Sequence, residues 1–425
     1  MTTAPASRPL VARTVPLSGA AVAELGGLLD LLPREQAAAW VRGGQGLVGW
    51  GEAARIETGG PERFADAAAA WADLNRHAVV RDEVNLPGTG PVAFGSFAFS
   101  DASAAGGVLV VPEVVVGCRD GVWWVTTIGL GSVPRSVRPA PADGPQPPRG
   151  VAFSPGAQAP DEWAHTVAAA IDRITAGEVE KVVLARDVIA TAQAPVDPRA
   201  LLRRLAADYP GCWTFTVDGL LGATPEMLVR LERGLVTSRV LAGTIRRSDD
   251  PAREADDLRL AASLARSSKD LEEHEYAVRS VAEALAPFCA TTNVPESPFV
   301  LHLANVMHLA TEISGVLRDS GSTSLDLAAR LHPSAAVCGT PTKAAADLID
   351  ELERMDRDRY AGPVGWMDAD GDGEWGIALR CARIDADDDR RLRLFAGCGI
   401  VAGSDPAAEL AESEAKLLPM RMALD

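Results

Sequence analysis

Two helical segments carry acidic residues at a spacing that suits a metal ion. Asp270 and Glu273 lie three residues apart and share one helical face. Glu409 and Glu412 repeat this spacing, and Lys416 follows four residues later. Two carboxylates on each of two helices can form an oxygen-rich Mg²⁺ site with open positions for water and substrate. Acidic pairs on helices usually face solvent, so the spacing alone favours that interpretation over a metal site.

A lysine and a glutamate are candidates for acid–base chemistry. Lys181 lies in the apolar run EKVVLARD, with Val183 and Ala185 on its own face if the strand is regular. Desolvation favours the neutral form of an amine, so a lysine there is a candidate general base. Glu226 follows Pro225 at a bend between two strands. A carboxyl group in a partly apolar site has a raised pKa and can act as an acid. A buried ion pair between Lys181 and Glu226 explains the same residues equally well.

Lysine is rare in this chain, which makes each lysine informative. Lys181, Lys269, Lys343 and Lys416 are the only lysines, and every other basic side chain apart from histidine is arginine. Compositional drift toward arginine explains most of this bias, but arginine stays protonated whereas lysine can lose its proton. The four lysines are therefore candidates for chemistry or tight geometry. For Lys269 and Lys343 we predict structural ion pairs and no catalytic role.

Two further patterns do not favour the sites that they resemble. His302 and His308 lie six residues apart without a third clustered ligand, so zinc is not expected. Cys338 has no partner base beside it in sequence, which favours a core or wall residue over a nucleophile.

The stretch DADGDGEW, residues 368–375, resembles the start of a calcium loop. An EF-hand needs a bidentate glutamate at position 12, but that position is Leu379, and the flanking segments are strand-like. Aspartate and glycine tolerate the positive φ angles of tight hairpins. We expect a hairpin turn that sets the register of the following strand and thereby the direction of Arg380.

Composition excludes several classes of protein. The chain has 425 residues, of which 47% are hydrophobic, and its net charge is −17, which disfavours binding to nucleic acid or anionic lipid. No apolar run is long enough to span a bilayer, and residues 1–15 lack the apolar region of a secretory signal. The six cysteines are scattered without short paired spacing. We expect a cytoplasmic protein with reduced, mostly buried thiols and no membrane association.

The order of elements predicts an α+β fold with large, mainly antiparallel sheets. Residues 1–10 are expected to form a disordered tail, residues 11–150 an N-terminal part of a single domain, and residues 151–425 its catalytic region, with a proline-rich connector over 134–150. Helices are predicted over 64–72, 161–175, 198–208, 253–265 and 269–288, and a last helix begins after the N-cap Ser404. Residues 228–247 predict a hairpin, and 364–367, 374–384 and 391–401 predict three successive strands.

Ten motifs occur along residues 155–420 in a fixed order: KVVLAR, GATPEML, LAGTIRR, SSKDLEEH, MHLATEI, LHPSAAVCGTP, YAGPVGW, GEWGIALRCARI, LFAGCGIV and ELAESEAKL. As a set they resemble the chorismate-utilising enzymes, and they are most similar to the isochorismate synthases of menaquinone and catechol-siderophore biosynthesis. Residues 1–150 resemble this family only loosely. The resemblance implies a single domain of two large packed sheets with helices outside, acting on the dianion chorismate with Mg²⁺ as cofactor.

The resemblance also implies roles for individual residues. Glu273 and Glu412 would hold Mg²⁺, and Asp270 and Glu409 would hold waters of that metal. Lys181 would be the base that activates water for attack at C2, and Glu226 the acid that protonates the departing C4 hydroxyl. Around the substrate, Arg380 and Tyr360 would bind the enolpyruvyl carboxylate with backbone N–H groups near Gly397 and Gly399, and Gly243, Thr244, His308 and Lys416 would complete the pocket wall.

Among the members of this family, the chain resembles those that use water. Leu241 to Thr244 follow the pattern of the water-using enzymes, and Lys181 stands at the base position that the ammonia users lack, so no glutaminase subunit is expected. The expected activity is Mg²⁺-dependent isochorismate synthesis by a monomer. The alternatives are a salicylate synthase, which would eliminate pyruvate afterwards, and a non-catalytic chorismate-binding homologue.

Overall fold

A computed structural model describes residues 8–132, 135–246, 254–302, 306–319 and 321–425, and it leaves out the side chains of 242, 244, 246, 254–258, 268–270, 272, 273 and 306. Nine α-helices lie in this described part of the chain. Their bounds are α1 Gly19–Val22, α2 Arg63–Asn75, α3 Pro160–Thr175, α4 Pro198–Asp208, α5 Glu254–Leu264, α6 Ser268–Leu285, α7 Ser324–Leu331, α8 Thr342–Leu352 and α9 Pro406–Leu424. A short 3₁₀ helix spans Leu28–Leu31.

Strands provide most of the remaining regular structure. Their bounds are β1 Leu10–Pro16, β2 Ala37–Arg42, β3 Gln45–Trp50, β4 Ala54–Thr58, β5 Val79–Asp82, β6 Val92–Phe97, β7 Gly107–Val111, β8 Val114–Arg119, β9 Val122–Leu130, β10 Ala152–Pro155, β11 Lys181–Thr191, β12 Trp213–Val217, β13 Leu220–Thr224, β14 Met227–Glu232, β15 Leu235–Arg246, β16 Cys289–Asn293, β17 Phe299–His302, β18 Val306–Leu317, β19 Gly339–Thr340, β20 Pro363–Asp368, β21 Gly373–Ile377, β22 Cys381–Ile384 and β23 Arg391–Ile400.

These strands form two large sheets. The first has 13 strands in the order β10-β11-β23-β22-β13-β12-β2-β3-β8-β9-β1-β5, with β19 also paired to β11. The second has 10 strands in the order β16-β18-β15-β14-β21-β20-β6-β7-β4, with β17 also paired to β18. Within the described residues only β1 and β5 pair in parallel. The predicted α+β fold of two packed, mainly antiparallel sheets in one domain is therefore confirmed.

Apolar side chains from both sheets fill the space between them. Trp40 and Phe215 of the first sheet and Phe94 and Trp375 of the second belong to one buried cluster, and each is at most 1% exposed. Trp40 also donates a 2.8 Å hydrogen bond from Nε1 to Glu374 of the second sheet. The tight packing of these aromatic side chains fixes the two sheets relative to each other.

Helices α4 and α9 each begin at an aspartate whose side chain caps the first turn. Helix α4 starts with Asp197, whose side chain accepts a hydrogen bond from the Arg199 N–H, and Pro198 occupies the first turn. Ser404 was predicted to cap the last helix, but this prediction is wrong by one residue. The cap is Asp405, whose carboxylate accepts from the Ala408 N–H at 2.8 Å. The Ser404 hydroxyl accepts instead from the Val401 N–H, because the chain is still turning there.

The predicted single strand over 374–384 is also wrong. Strand β21 lies in the second sheet and β22 in the first, so residues 378–380 cross from one sheet to the other. Arg380 adopts a φ of 48° at this crossing, a left-handed conformation that ends a strand. Both strands are mostly apolar and largely buried, so the pattern of residues gave no sign of the break.

The segment DADGDGEW forms the predicted hairpin turn between β20 and β21. Met367 pairs with Gly373, and the Asp368 N–H donates to the Asp372 carbonyl at 2.9 Å. The carboxylates bind backbone N–H groups of other loops: Asp368 accepts from Gly88 and Asp372 from Arg233. The turn therefore joins its own loop to those of Gly88 and Arg233. The turn sets the register of β21, but Arg380 lies beyond the end of that strand.

The N-terminal part contributes strands to both sheets. Strands β1, β2, β3, β5, β8 and β9 belong to the first sheet and β4, β6 and β7 to the second. Leu10 begins β1 and is 0% exposed, so the regular structure starts inside the predicted tail; residues 1–7 lie outside the described part. The proline-rich connector has no regular structure over 135–149, where Asp143 accepts a hydrogen bond from Arg199 at 3.0 Å.

The cysteines and the helices agree with the expectations from composition. All six cysteines are buried and form no disulfide. Burial raises the pKa of Cys338 to about 11, which suits the predicted core or wall residue rather than a nucleophile. No helix in the described ranges combines the length and the apolar character that a transmembrane span requires.

Candidate active site

A cavity of about 110 Å³ between the two sheets brings together residues that are far apart in sequence. Seven of the predicted catalytic and substrate-binding residues line it, namely Glu226, His308, Tyr360, Arg380, Gly397, Gly399 and Lys416. The first sheet and helix α9 provide one side, and the second sheet provides the other. The cavity is the place where the predicted site residues converge.

Lys181 lies beside this cavity at the start of β11. Its neighbour on the same face, Val183, lines the cavity and pairs in register with Gly399 of β23. A Cβ atom on Gly399 would lie 3.0 Å from Cε and 3.5 Å from Nζ of Lys181. The absence of a side chain at Gly399 therefore lets the lysine extend across β23.

Glu226 occupies a bend before β14 and is 7% exposed. The Thr224 hydroxyl accepts from the Glu226 N–H at 3.2 Å, and the Glu226 carbonyl accepts from the Ile377 N–H. The pairing of β14 with β21 is irregular between Met227 and Val229, which redirects the chain as a β-bulge does. These contacts hold the backbone at the bend, so the carboxyl group faces the cavity from a fixed position.

Two opposing effects, burial and nearby positive charges, set the pKa of Glu226. Burial raises the pKa of Glu226 to about 7, while the charges of Lys181, Arg380 and Lys416 lower it. Burial is the larger effect, so the carboxyl can carry a proton near neutral pH. The positive charge of Lys181 is among those that lower this pKa, so the lysine lies near the carboxyl group.

His308 is a neutral wall residue. It lies on β18, in register with Thr244 of β15, and is 8% exposed. Burial lowers its pKa to about 3, and the charges of Arg380 and Lys416 act in the same direction, against a hydrogen bond with the Gly243 backbone. An uncharged imidazole can offer one donor and one acceptor to a bound ligand. The side chain of Thr244 lies outside the described residues.

Helix α9 carries the acidic residues predicted on its side of the metal site. Glu409, Glu412 and Cys398 each offer one ligand atom within 4.8 Å of the others. Lys416 donates to the Gly397 carbonyl at 2.8 Å and pairs with Glu412 at 2.6 Å. Burial opposes ionisation of Glu412, but Lys416 outweighs it and the pKa is lowered.

The acidic residues on helix α6 cannot be placed in the same detail. The backbone of α6 is described, but the side chains of Asp270 and Glu273 lie outside the described part of the chain. The Glu409 and Glu412 carboxylates are the hard oxygen ligands that Mg²⁺ prefers. This half of the predicted ligand set therefore fits magnesium, while the structure leaves the other half open.

Tyr360 and Arg380 line the cavity from segments outside the strands. Tyr360 precedes β20, and Arg380 follows β21. Tyr360 is 5% exposed, its ring stacks on Phe395 at 5.1 Å, and burial raises the pKa of its hydroxyl. A Cβ atom on Gly397 would lie 3.1 Å from this hydroxyl, so glycine makes room for it. Arg380 belongs to the crossing between the sheets and therefore reaches the cavity from between β21 and β22.

One edge of β23 is open where it borders the cavity. Pairing of β22 with β23 stops at Ala382 and Leu394, whereas pairing with β11 continues to Ile400. Beyond Leu394 the second edge of β23 has no strand partner among the described residues. Every second backbone N–H on such an edge is available to an anion, as predicted for the region of Gly397 and Gly399.

Sequence reasoning missed one charged residue of the cavity wall, Arg357. Its Nη1 donates to the Val337 carbonyl at 2.9 Å and its Nη2 to the Val183 carbonyl at 2.6 Å. Arg357 also pairs with buried Glu353, which accepts from the Ala185 N–H at 2.6 Å. The pair ties the strand of Lys181 to the cavity wall. The acidic residue four positions before Arg357 was the only signal in the sequence.

Comparison with known proteins covers almost the whole chain. The family model described as chorismate binding enzyme matches residues 35–131 and 137–425. The isochorismate synthase DhbC of Bacillus subtilis is 42% identical over 276 residues, which is 62% of this chain and 68% of that protein. The isochorismate synthase MenF of Bacillus subtilis is 31% identical over 407 residues, 89% of this chain and 85% of that protein.

A solved structure has the same fold. MenF of Escherichia coli, the menaquinone-specific isochorismate synthase, superposes with a TM-score of 0.79 at 23% identity, over 100% of this chain and 97% of that one. At this identity the likeness supports the fold alone. The family model and the sequence relatives go further, and they agree with the cavity built from the two sheets: the chain belongs to the chorismate-binding enzyme family.

Proposed function

We propose that this protein is a Mg²⁺-dependent isochorismate synthase, which adds water at C2 of chorismate as the C4 hydroxyl departs. The observation that carries the proposal is the single cavity in which Glu226, Arg380 and Lys416 meet, with Lys181 alongside. The named relatives are isochorismate synthases, which supports the same reaction.

The charges around the cavity suit an anionic substrate. The chain as a whole has a net charge of −17, so the binding of a dianion requires local positive charge. Arg380 and Lys416 provide it, since both act on the pKa values of Glu226 and His308. The enolpyruvyl carboxylate would lie near Arg380, Tyr360 and the open edge of β23.

The reaction needs one base and one acid. Lys181 would take a proton from the attacking water, and Glu226, protonated near neutral pH, would donate one to the departing hydroxyl. Neutral His308 and the backbone near Gly243 would form the wall beside the ring. After one turnover Lys181 carries an extra proton and Glu226 lacks one, so both groups must be reset.

Glu273 and Glu412 would hold the magnesium ion, with Asp270 and Glu409 binding its waters. Bound Mg²⁺ would supply positive charge for the ring carboxylate of the substrate. Lys416 would keep Glu412 oriented through their 2.6 Å ion pair. We propose that the enzyme acts as a monomer and without a glutaminase subunit.

The decisive test is incubation of the purified protein with chorismate and Mg²⁺, followed by separation of the products. Isochorismate alone would support the proposal. Salicylate with pyruvate would favour a salicylate synthase instead. Binding of chorismate without any turnover would indicate a non-catalytic homologue.

The role of Lys181 can be tested by Lys181→Arg. Arginine keeps the positive charge but cannot act as a base, so we expect kcat to fall by about 10²- to 10⁴-fold while chorismate still binds. The matched control is Lys343→Arg, the same change at an exposed lysine that pairs with Asp347 at 3.1 Å. Full activity of Lys181→Arg would refute the assignment.

A further inference from the structure

A second, smaller cavity lies behind Glu226. Its volume is about 20 Å³, and it shares Glu226 and Ala336 with the main cavity. We call it the rear chamber. Its remaining lining includes apolar residues of the second sheet and of helix α6, together with Ser238, Ser280 and Ser334. A chamber of this size holds about one water molecule.

The rear chamber contains polar groups that such a water would satisfy. The Ser334 hydroxyl is buried and has no hydrogen-bond partner among the described residues. The Ser238 hydroxyl donates to the Leu228 carbonyl at 2.7 Å and keeps its lone pairs for another donor. Together with Glu226, which also lines the chamber, these two hydroxyls offer a water up to three polar partners, the usual number for a buried water.

The rear chamber also extends toward the surface. Ser280 on helix α6 is exposed, and Arg239 lies on the same lining with its guanidinium group bound to Glu312. The Glu312 side chain is 56% exposed. The lining of the chamber therefore runs from buried Glu226 to Ser280, which is exposed to solvent.

Turnover creates a need for such a route. Under the proposed function, on which this inference rests, Glu226 ends each cycle as a buried carboxylate. Lys181, Arg380 and Lys416 act on it from the substrate side, where the product still occupies the main cavity. A route from the other side would let a proton reach Glu226 before the product leaves.

We propose that a water in the rear chamber returns the proton to Glu226 after each turnover, with Ser334 as its hydrogen-bonding partner. The proton passes from bulk water to the chamber water and then to the Glu226 carboxylate. Lys181 releases its extra proton to solvent as the product leaves, so the cycle is balanced. Ser334 acts through the water and contacts no substrate, which makes it a positioning residue.

The test is Ser334→Ala, studied by rapid quench and by steady-state kinetics. The first turnover starts from protonated Glu226, so we expect its rate to stay the same. Later turnovers need the proton return, so we expect kcat to fall by about tenfold, less than for the loss of a general acid. Raising the concentration of a small buffer should restore kcat, because the buffer supplies protons that the route no longer delivers.

A second variant and a control keep the result interpretable. Ala335→Val adds two methyl groups to the lining of the rear chamber and leaves Ser334 in place. It should give the same fast first turnover and slow later turnovers. Ser314→Ala removes a half-buried hydroxyl from β18 that lines neither cavity, and it should change nothing.

Two outcomes would overturn the inference. One is an equal slowing of the first and later turnovers in Ser334→Ala, since this would mean that Ser334 shapes the active site. The other is an unchanged kcat that does not depend on buffer in either variant. If the unaltered protein makes no isochorismate, the proposed function itself fails, and this is visible before any variant is made.

Discussion

Individual side chains in this cavity have ionisation states that their surroundings decide. Burial brings the pKa of Glu226 to about 7 and that of His308 to about 3, from usual values of 4.5 and 6.5. Near neutral pH Glu226 therefore carries a proton for part of the time, whereas an ordinary carboxyl group would have lost it, and His308 is neutral. The cavity thus combines a carboxyl group that can carry a proton with an uncharged imidazole, beside Arg380 and Lys416.

Glu226→Gln should separate activity from stability. The amide cannot donate a proton as an acid, so we expect kcat to fall by about 10²- to 10⁴-fold. The pKa of Glu226 is raised on folding from 4.5 to about 7, so the folded state binds more protons and wild-type stability falls as the pH rises through that window. Relative to wild type, the variant should gain up to about 3 kcal/mol between pH 4 and pH 8 (2.5 units at 1.36 kcal/mol each).

The measurement is denaturant unfolding of both proteins at several pH values. Glu296→Gln is the matched control, because Glu296 is exposed and the same change there should leave the pH dependence as it is in wild type. A constant difference in free energy of unfolding between Glu226→Gln and wild type would contradict the raised pKa.

At the scale of elements, the site depends on how β11 and β23 lie side by side. Their register places Gly399 opposite Val183 and Gly397 opposite Ala185. These two glycines leave space for the Lys181 side chain and the Tyr360 hydroxyl, respectively. Strand β22 leaves the other edge of β23 open at the same level. The strand pair therefore positions Lys181 and presents backbone N–H groups in one stretch of sheet.

Gly399→Ala should displace Lys181 without unfolding the protein. The added Cβ would lie 3.0 Å from Lys181 Cε, and the end of a flexible side chain can move by the few tenths of an ångström required. Because such small displacements disturb a reacting geometry, we expect kcat to fall by about 10²-fold. The control is Gly403→Ala, where the Cβ meets nothing within 4 Å. Equal activity of both variants would show that the lysine does not depend on this contact.

At the scale of the whole molecule, neither sheet is complete without residues 11–150. In the first sheet, the strand order runs from β11 and β23 through β12 to β2 and β3. In the second sheet, it runs from β21 and β20 to β6. The Trp40 to Glu374 hydrogen bond joins the same two parts across the core. The N-terminal part is therefore a structural component of the domain that holds the cavity.

Cleavage in the proline-rich connector should leave the protein assembled. Residues 135–149 have no regular structure and are mostly exposed, so a protease site inserted there can be cut. We expect the two fragments to co-elute in size-exclusion chromatography and to retain activity, because the sheets hold them together. The segment 151–425 expressed alone should fail to fold, since it would expose the buried edges of both sheets. Independent folding of that segment would contradict a single domain.

The sequence by itself determined the family, the fold class and the residue types of the site. Each of the ten motifs is one uninterrupted stretch of residues, so it can be recognised without knowing which distant segments it contacts in the fold. The helix over 198–208 and the hairpin over 228–247 were predictable for the same reason, because they depend on neighbouring residues.

Only the tertiary structure decided features that depend on distant segments. The crossing at 378–380 could not be predicted, because the two strands on either side of it have similar patterns but belong to different sheets. Arg357 is held at the cavity wall because it donates hydrogen bonds to the backbone carbonyls of Val183 and Val337. No spacing in the sequence predicts these contacts. The same is true of the pKa of Glu226, since burial between two sheets sets it rather than any neighbour in the chain.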